Sequence, residues 1–344
     1  MMYPAAMWKP LKDATVQCCL CAHACVIRPG KKGQCGVRSN HDGALFTETY
    51  HAAAALNLDP VEKKPLHHFL PGSATLSLGT MGCNMRCDFC QNYSLSAPPR
   101  TGKPITGQSI PPAMLVAEAL RCGAKSISYT YSEPTVFFEL MQDTARLAAD
   151  NGLLNIMVSN GFQSTDCLNA LNGLIHACNI DLKAFSDVFY KERCGARLLP
   201  VLENLRHIRR MGWWLEVTTL LIPDANDTDA EIRAMATFIH DELGSDVPWH
   251  ISRFHPAHKM LSTPPTTAVQ LEQAWQIGKD TGLHYVYIGN LHGHPSEHTS
   301  CPSCGNIVVR RTGYKTTVSG IPACSKCGVL IPGIWNSPPG SGKA

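Results

Sequence analysis

Seven short β-rich runs, separated by segments of helical periodicity, limit this chain to a few folds. The runs read ATLSLGT (74–80), SISYTY (126–131), NIMVSN (155–160), NIDLKAF (179–185), WLEVTTLLI (214–222), WHISRF (249–254) and HYVYIG (284–289). Helical patterns fill the gaps at Pro111 to Arg121, Thr135 to Asp150, Pro200 to Met211, Asp227 to Leu243 and Thr267 to Thr281. Strands that alternate with amphipathic helices pair in parallel, because the crossover helices cover both sheet faces. The expectation is an α/β protein built on a full or partial (β/α) TIM-like barrel. A doubly wound open sheet is the alternative. Asp227 is expected to cap its helix through a side-chain oxygen. With 344 residues, the chain has room for this body and for small modules at both ends.

The 16 cysteines are unevenly placed. One group holds Cys18, Cys19, Cys21, Cys25 and Cys35, a second Cys83, Cys87 and Cys90, and a third Cys301, Cys304, Cys324 and Cys327. No basic stretch followed by an apolar one opens the chain, so no secretory leader is expected. No run approaches the ~18 apolar residues of a membrane helix. The expected location is therefore cytoplasmic, where grouped cysteines point to metal or redox chemistry and not to disulfides. A net charge of +3, with no Lys/Arg stripe interleaved with aromatics, argues against a nucleic-acid partner. The expected division is a cysteine-rich metal-binding module over 1–60, the barrel over 61–298, and a zinc-ribbon or rubredoxin-like module with a loose tail over 299–344. That tail ends GSGKA, which lacks the Ser/Thr and the following helix of a phosphate loop.

Residues 79–92, GTMGCNMRCDFCQN, place Cys83, Cys87 and Cys90 at C-x3-C-x2-C just after the first barrel strand. In (β/α) barrels the chemistry sits at that end of the strands. Three thiolates without a nearby fourth ligand suit an iron–sulfur cluster with one iron left open, whereas a closed zinc site wants four ligands. CPSCGN and CSKCGV supply such a four: Cys301, Cys304, Cys324 and Cys327, each pair followed by a turn-forming glycine. Zinc is the expected metal there. Cys18, Cys21, Cys25 and Cys35, at C-x2-C-x3-C-x9-C, satisfy either zinc or an auxiliary iron–sulfur cluster. Cys122, Cys167, Cys178 and Cys194 have no partner spacing and read as small buried apolar residues. The stretch DPVEKKPLHHFLPG (59–72) reads as a solvated connector, or as a lid or substrate contact. Asp181 and Lys183 lie two apart on a strand and share a face. Opposite charges aimed into a barrel need each other or a ligand.

GCNMRCDFC resembles the C-x3-C-x-aromatic-C signature of radical S-adenosylmethionine (radical SAM) enzymes. The ordered stretches LCAHACVIRPGKKGQCGVRSN, DPVEKKPLHHFLPGS, YTYSEPT, SNGF, NIDLKAF, EVTTLLIPDANDT, SRFHP and YVYIGN extend that likeness over residues 18–315. Together they resemble the radical SAM member of the AmmeMemoRadiSam system, related to the pyruvate formate-lyase activating enzyme. The resemblance implies that Cys83, Cys87 and Cys90 hold a [4Fe–4S] cluster whose open iron chelates SAM. Reductive cleavage then gives a 5′-deoxyadenosyl radical that abstracts hydrogen, an activating-enzyme-like oxidoreductase chemistry. It further implies that Phe89 packs beside adenine, and that Ser132 and Glu133 occupy the place of a Gly-Gly-Glu turn that receives the ammonium group. Asn160 would lie near the ribose or substrate, Lys183 would reach the SAM carboxylate with Asp181 beside it, and His255 would touch SAM. Arg253 is a candidate partner for an anion, Gly289-Asn290 for adenine, and His250 reads as a satisfied barrel histidine. The implied partners are a reductant such as ferredoxin or flavodoxin and a protein-glycine or small-molecule substrate. The competing readings are a zinc/iron–sulfur protein acting on RNA and an electron-transfer scaffold without SAM chemistry.

Overall fold

The computed structural model describes residues 2–291, 293–319 and 321–336, so the tail with its GSGKA ending lies outside the described residues. Each of the seven β-rich runs forms a strand of one sheet: β2 (Ala74–Gly79), β3 (Ser126–Tyr129), β4 (Leu154–Ser159), β5 (Ala177–Asp181), β6 (Trp214–Leu221), β7 (Trp249–Arg253) and β8 (Val286–Gly289). An eighth, β1 (Ala55–Pro60), runs antiparallel to β2, Ala55 opposite Gly79 and Pro60 opposite Ala74. All neighbours from β2 to β8 are parallel. The sheet order follows the chain order from edge to edge. A doubly wound sheet reverses its order midway; this one does not. Among the described residues β1 and β8 share no ladder, so the barrel is partial.

The outer layer is α1 (Pro112–Arg121), α2 (Phe138–Asp150), α3 (Thr165–Ala170), α4 (Leu198–Met211), α5 (Asp229–Phe238) and α6 (Ala268–Asp280). Thr267 and Gln270 close a capping box at the start of α6. The expected Asp227 cap is displaced by one residue. Thr228, with extended backbone, accepts from Glu231 N, while Asp227 accepts from Asp224 N at 2.9 Å and closes the preceding turn. None of the described helices is long and apolar enough to cross a membrane.

Two small antiparallel sheets build the N-terminal end, one from Trp8–Pro10, Val16–Cys18 and Val26–Ile27, the other from Tyr3–Pro4, Arg38–His41 and Ala44–Thr47. Their apolar residues join the same core as the barrel helices. Gly82 is where the two meet: its φ is +101°, and a Cβ there would stand 2.5 Å from Val37 Cγ1. Only glycine fits both constraints.

The segment 61–72 is neither a solvated connector nor a lid. Val61, Leu66, Phe69 and Leu70 pack against Leu154, Ile156 and Ala177 at the strand N-terminal ends. Lys64 and Glu62 are buried and paired: Lys64 Nζ lies 2.7 Å from Asp59, and Glu62 accepts from Gly72 N and the Thr316 hydroxyl, while exposed Lys63 also reaches Asp59. The amides of His67 and His68 donate to Glu216, and His68 bridges Pro332 O and the Tyr287 hydroxyl, both at 2.7 Å. The C-terminal module (Thr299–Ser300, Ile307–Thr312, Lys315–Val318) is pinned to this floor by buried Arg311, which donates to His67 O. The opposite end of the sheet is left for the cysteine loop.

Candidate functional site

The loop after β2 is held from three sides. Arg86 N and Asp88 N donate to Cys194 O and Arg193 O, Lys259 N donates to Asp88 O, and the Arg100 guanidinium reaches the carbonyls of Cys83 and Met85. Its sulfurs collect donors. Met85 N lies 3.3 Å from Cys83 Sγ, the Asn160 amide 3.7 Å from the same sulfur, and the Ser96 hydroxyl 3.3 Å from Cys90 Sγ. Burial raises the Cys83 and Cys90 thiols. Cys87 alone is lowered, by its pairing with the neighbouring Cys194 thiol, against burial and with help from Lys183. Donors to sulfur and a nearby cation favour the thiolate, which is the metal-binding form.

The strand ends bring the other candidates around this loop. Lys183, just past β5, donates to Asp181 at 2.8 Å and stands 5.8 Å from the centre of the Phe89 ring. Burial works against its charge, but Asp181, Cys87 and Cys194 raise its pKa well above the ordinary lysine value. Asp181 stays about a third exposed, with room for a ligand. Phe89 is buried against Phe189. At the end of β4, the Asn160 amide also donates to Asn84 Oδ1 at 2.7 Å.

Glu133 is buried and already holds four donors: Thr135 N, the Thr135 hydroxyl, the Ser159 hydroxyl and Asn160 N. Three of these fall on Oε1 and one on Oε2, so Glu133 clamps the ends of β3 and β4. Burial raises its pKa against those donors. Beside it Ser132 Oγ is buried with no partner. His255 is exposed in the loop after β7 and makes no side-chain hydrogen bond among the described residues. In that region Arg253 donates to Thr266 O, and His250 lies 2.6 Å from Glu216.

The flanking cysteines differ in spread. Cys301, Cys304, Cys324 and Cys327 have all four sulfurs within 4.8 Å of one another, a group that could hold a metal ion. Cys301–Cys327 and Cys304–Cys324 are 3.5 and 3.6 Å apart. Gly305 and Gly328 turn each knuckle at φ +71° and +75°. Cys18, Cys21, Cys25 and Cys35 line one common cavity.

The sequence from Leu78 to Ile239 matches the family model for the radical SAM superfamily. Over 334 residues, 96% of this chain and 99% of the relative, the chain is 40% identical to the uncharacterized protein MJ0808 of Methanocaldococcus jannaschii. The chain belongs to the radical SAM superfamily. A protein of the same organism, provisionally named as a glycyl-radical enzyme activating enzyme, is 27% identical over 188 residues, 53% of this chain and 68% of that protein. The fold is also that of a radical SAM methyltransferase from Sphaerobacter thermophilus, at a TM-score of 0.51 and 15% identity, covering 68% of this chain and 71% of that one.

Radical SAM chemistry calls for a [4Fe–4S] cluster, SAM and a source of electrons, and the residues present fit the first two. Three half-buried cysteines lie in the loop at the strand C-terminal ends, and beside them lie an unpartnered Ser132 hydroxyl and a part-exposed Asp181–Lys183 pair. The sequence reading missed what braces this radical SAM centre. Cys194 touches Cys87, and the Tyr131 hydroxyl donates to Asp59, fixing the turn that carries Ser132. Neither pairing has a sequence spacing that would reveal it.

Proposed function

We propose that this radical SAM enzyme is the AmmeMemoRadiSam type, an activating-enzyme-like oxidoreductase that removes a hydrogen from a glycine of a partner protein. The observation that carries the reading is the convergence of Cys83, Cys87 and Cys90 with Asp181 and Lys183 at one end of the sheet. The partial similarity to the protein named for glycyl-radical activation supports the choice of substrate class.

Cys83, Cys87 and Cys90 would hold the [4Fe–4S] cluster, and Lys183 would meet the SAM carboxylate while Asp181 keeps the lysine charged and aimed. Asn160 orients Cys83 through its amide. Ser132 offers a free hydroxyl to the ligand, and Glu133 fixes the turn that presents it. Phe89 gives adenine an apolar wall, and His255 would close over the cofactor from the loop after β7. When bound, cluster and SAM supply reductive S–C5′ cleavage and hydrogen abstraction; the protein binds, orients and excludes water. The physiological reductant is read as a ferredoxin or flavodoxin, in a reducing cytoplasm. Zinc is assigned to Cys301, Cys304, Cys324 and Cys327, because a Zn–S length near 2.3 Å gives a tetrahedron with edges of about 3.8 Å. The working division remains 1–60, 61–298 and 299–344.

Anaerobic reconstitution followed by a SAM-cleavage assay tests the reading. Reductant-dependent 5′-deoxyadenosine is expected from the native chain and none from Cys87→Ala; intact cleavage in that variant overturns the cluster assignment. Deuterium passing from α-deuterated glycine of a partner protein into 5′-deoxyadenosine tests the substrate class.

A further inference from the structure

We propose that Cys18, Cys21, Cys25 and Cys35 hold a second [4Fe–4S] cluster, placed to feed electrons to the Cys83 site. The four thiols line a single cavity. Two independent observations identify the occupant.

The first is spread. Among the described residues, the C-terminal four are the only set of three or more metal-binding side chains with all ligand atoms within 4.8 Å. A lone tetrahedral ion draws four thiolates to edges of about 3.8 Å. An iron–sulfur cube interposes several irons and sulfides, so its thiolates stand farther apart. Neither Cys83, Cys87 and Cys90 nor the N-terminal four are gathered within 4.8 Å. The N-terminal set thus shares the looser spacing of the triad and not the tight spacing of the C-terminal four.

The second is Arg38. It is 1% exposed and lines the same cavity. Its Nη2 is used by Ala6 O and by an ion pair with Glu139 at 3.1 Å, but its Nε and Nη1 have no partner. Burying two guanidinium donors unused is costly. An anionic centre with sulfur acceptors removes that cost, and a cluster bound by four thiolates is anionic in both of its oxidation states.

The position supplies the role, which rests on the function proposed above; the cluster itself does not. Asn84 lines the cavity and directly follows Cys83. Its carbonyl lies 2.7 Å from His23 Nε2, and its side chain accepts from Asn160. One residue thus separates the two centres. On the far side, Cys25 sits between exposed Ala24 and Val26. An external one-electron reductant reduces the outer cluster from [4Fe–4S]2+ to [4Fe–4S]+. The same electron then passes to the Cys83 cluster and returns the outer one to 2+, with no atom transferred.

Metal analysis of the anaerobically reconstituted full chain tests this. About eight iron and eight sulfide per chain are expected, beside one zinc. The Cys83/Cys87/Cys90→Ala triple variant should retain about four iron, with a reduced-cluster EPR signal that SAM does not perturb. A Cys25→Ser/Cys35→Ser double variant should keep only the SAM-perturbed signal. Its Cys83 cluster should be reduced more slowly by a protein reductant and as fast as before by dithionite; an unchanged rate with the protein reductant overturns the relay. Two zinc per chain with an iron-free triple variant overturns the cluster, and the native count decides this even if the double variant is insoluble. A triple variant that keeps its iron, beside a native chain with no SAM-perturbed signal, sinks the proposed function and leaves the second cluster standing.

Discussion

Arg86 N donates to Cys194 O at 2.8 Å, which sets the Cys194 thiol, between β5 and α4, beside Cys87, the middle cysteine of the triad. Hydrogen bonds to ligating sulfur stabilise the added negative charge of a reduced cluster and raise its potential. Cys194→Ala should therefore lower the potential of the Cys83 cluster by roughly 40 mV, the one-electron equivalent of a hydrogen bond worth ~1 kcal/mol. Cys194→Ser should retain most of the native value. An EPR-monitored redox titration reads the shift, and an unmoved potential would reduce Cys194 to a packing residue.

Lys183 is held charged by Asp181 and by the thiols around it, and it is aimed at the proposed SAM carboxylate. Lys183→Met should weaken SAM binding about 10- to 100-fold, the loss expected for one charge-assisted hydrogen bond. The iron content should not change. Equilibrium dialysis with the reconstituted variant measures this; native affinity would remove Lys183 from the cofactor site.

Gly82 carries two separable constraints, its positive φ and the Val37 methyl pressed against it. Gly82→Ala should cost on the order of 2 kcal/mol or more. Val37→Ala in the same chain should recover the steric part and leave the backbone part. A double-mutant cycle by urea unfolding separates them; strict additivity would mean that the contact has no energetic weight.

Burial keeps His68 neutral, with its pKa lowered to about 4. The unfolded histidine titrates near ~6.5, so between those values the unfolded chain binds the extra proton. Stability should fall as pH drops from about 6.5 to 4, by ~3 kcal/mol from this group alone at the acid end. Thermal melts across that range should show a shallower slope for His68→Asn than for the native chain. Equal slopes would show that His68 is not the group that titrates.

The seven parallel strands were legible because each is a compact β-rich run between helices, a local pattern that burial on both faces imposes. β1 was not: ALNLDP carries Asn, Asp and Pro, which an edge strand tolerates and a propensity reading rejects. The C-terminal site was legible because its turns are local, with the glycine of each knuckle at positive φ. The segment 61–72 was misread for an opposite reason. Its density of charge suggests solvent, yet Lys64 pairs with Asp59 on β1, and Glu62 and His68 find partners from distant parts of the chain. Cys194 and Arg38 are invisible for the same cause: their meaning lies in what stands across from them. Of the strand-end residues, Asp181 and Lys183 were readable from two-residue alternation, whereas the four donors that hold Glu133 needed coordinates.

The floor under the barrel has a consequence for how the protein is made. Phe69 bridges to Ile334, the Leu70 amide donates to Ile334 O, and His68 Nδ1 donates to Pro332 O. The last piece of that floor thus leaves the ribosome after every strand it supports. Until then the lower ends of β4 and β5 lack their final cover, and an early-formed sheet is exposed to association with other nascent chains. The C-terminal cysteines precede that closing segment in the chain, so a metal held by them would shape the module before its last residues reach the floor.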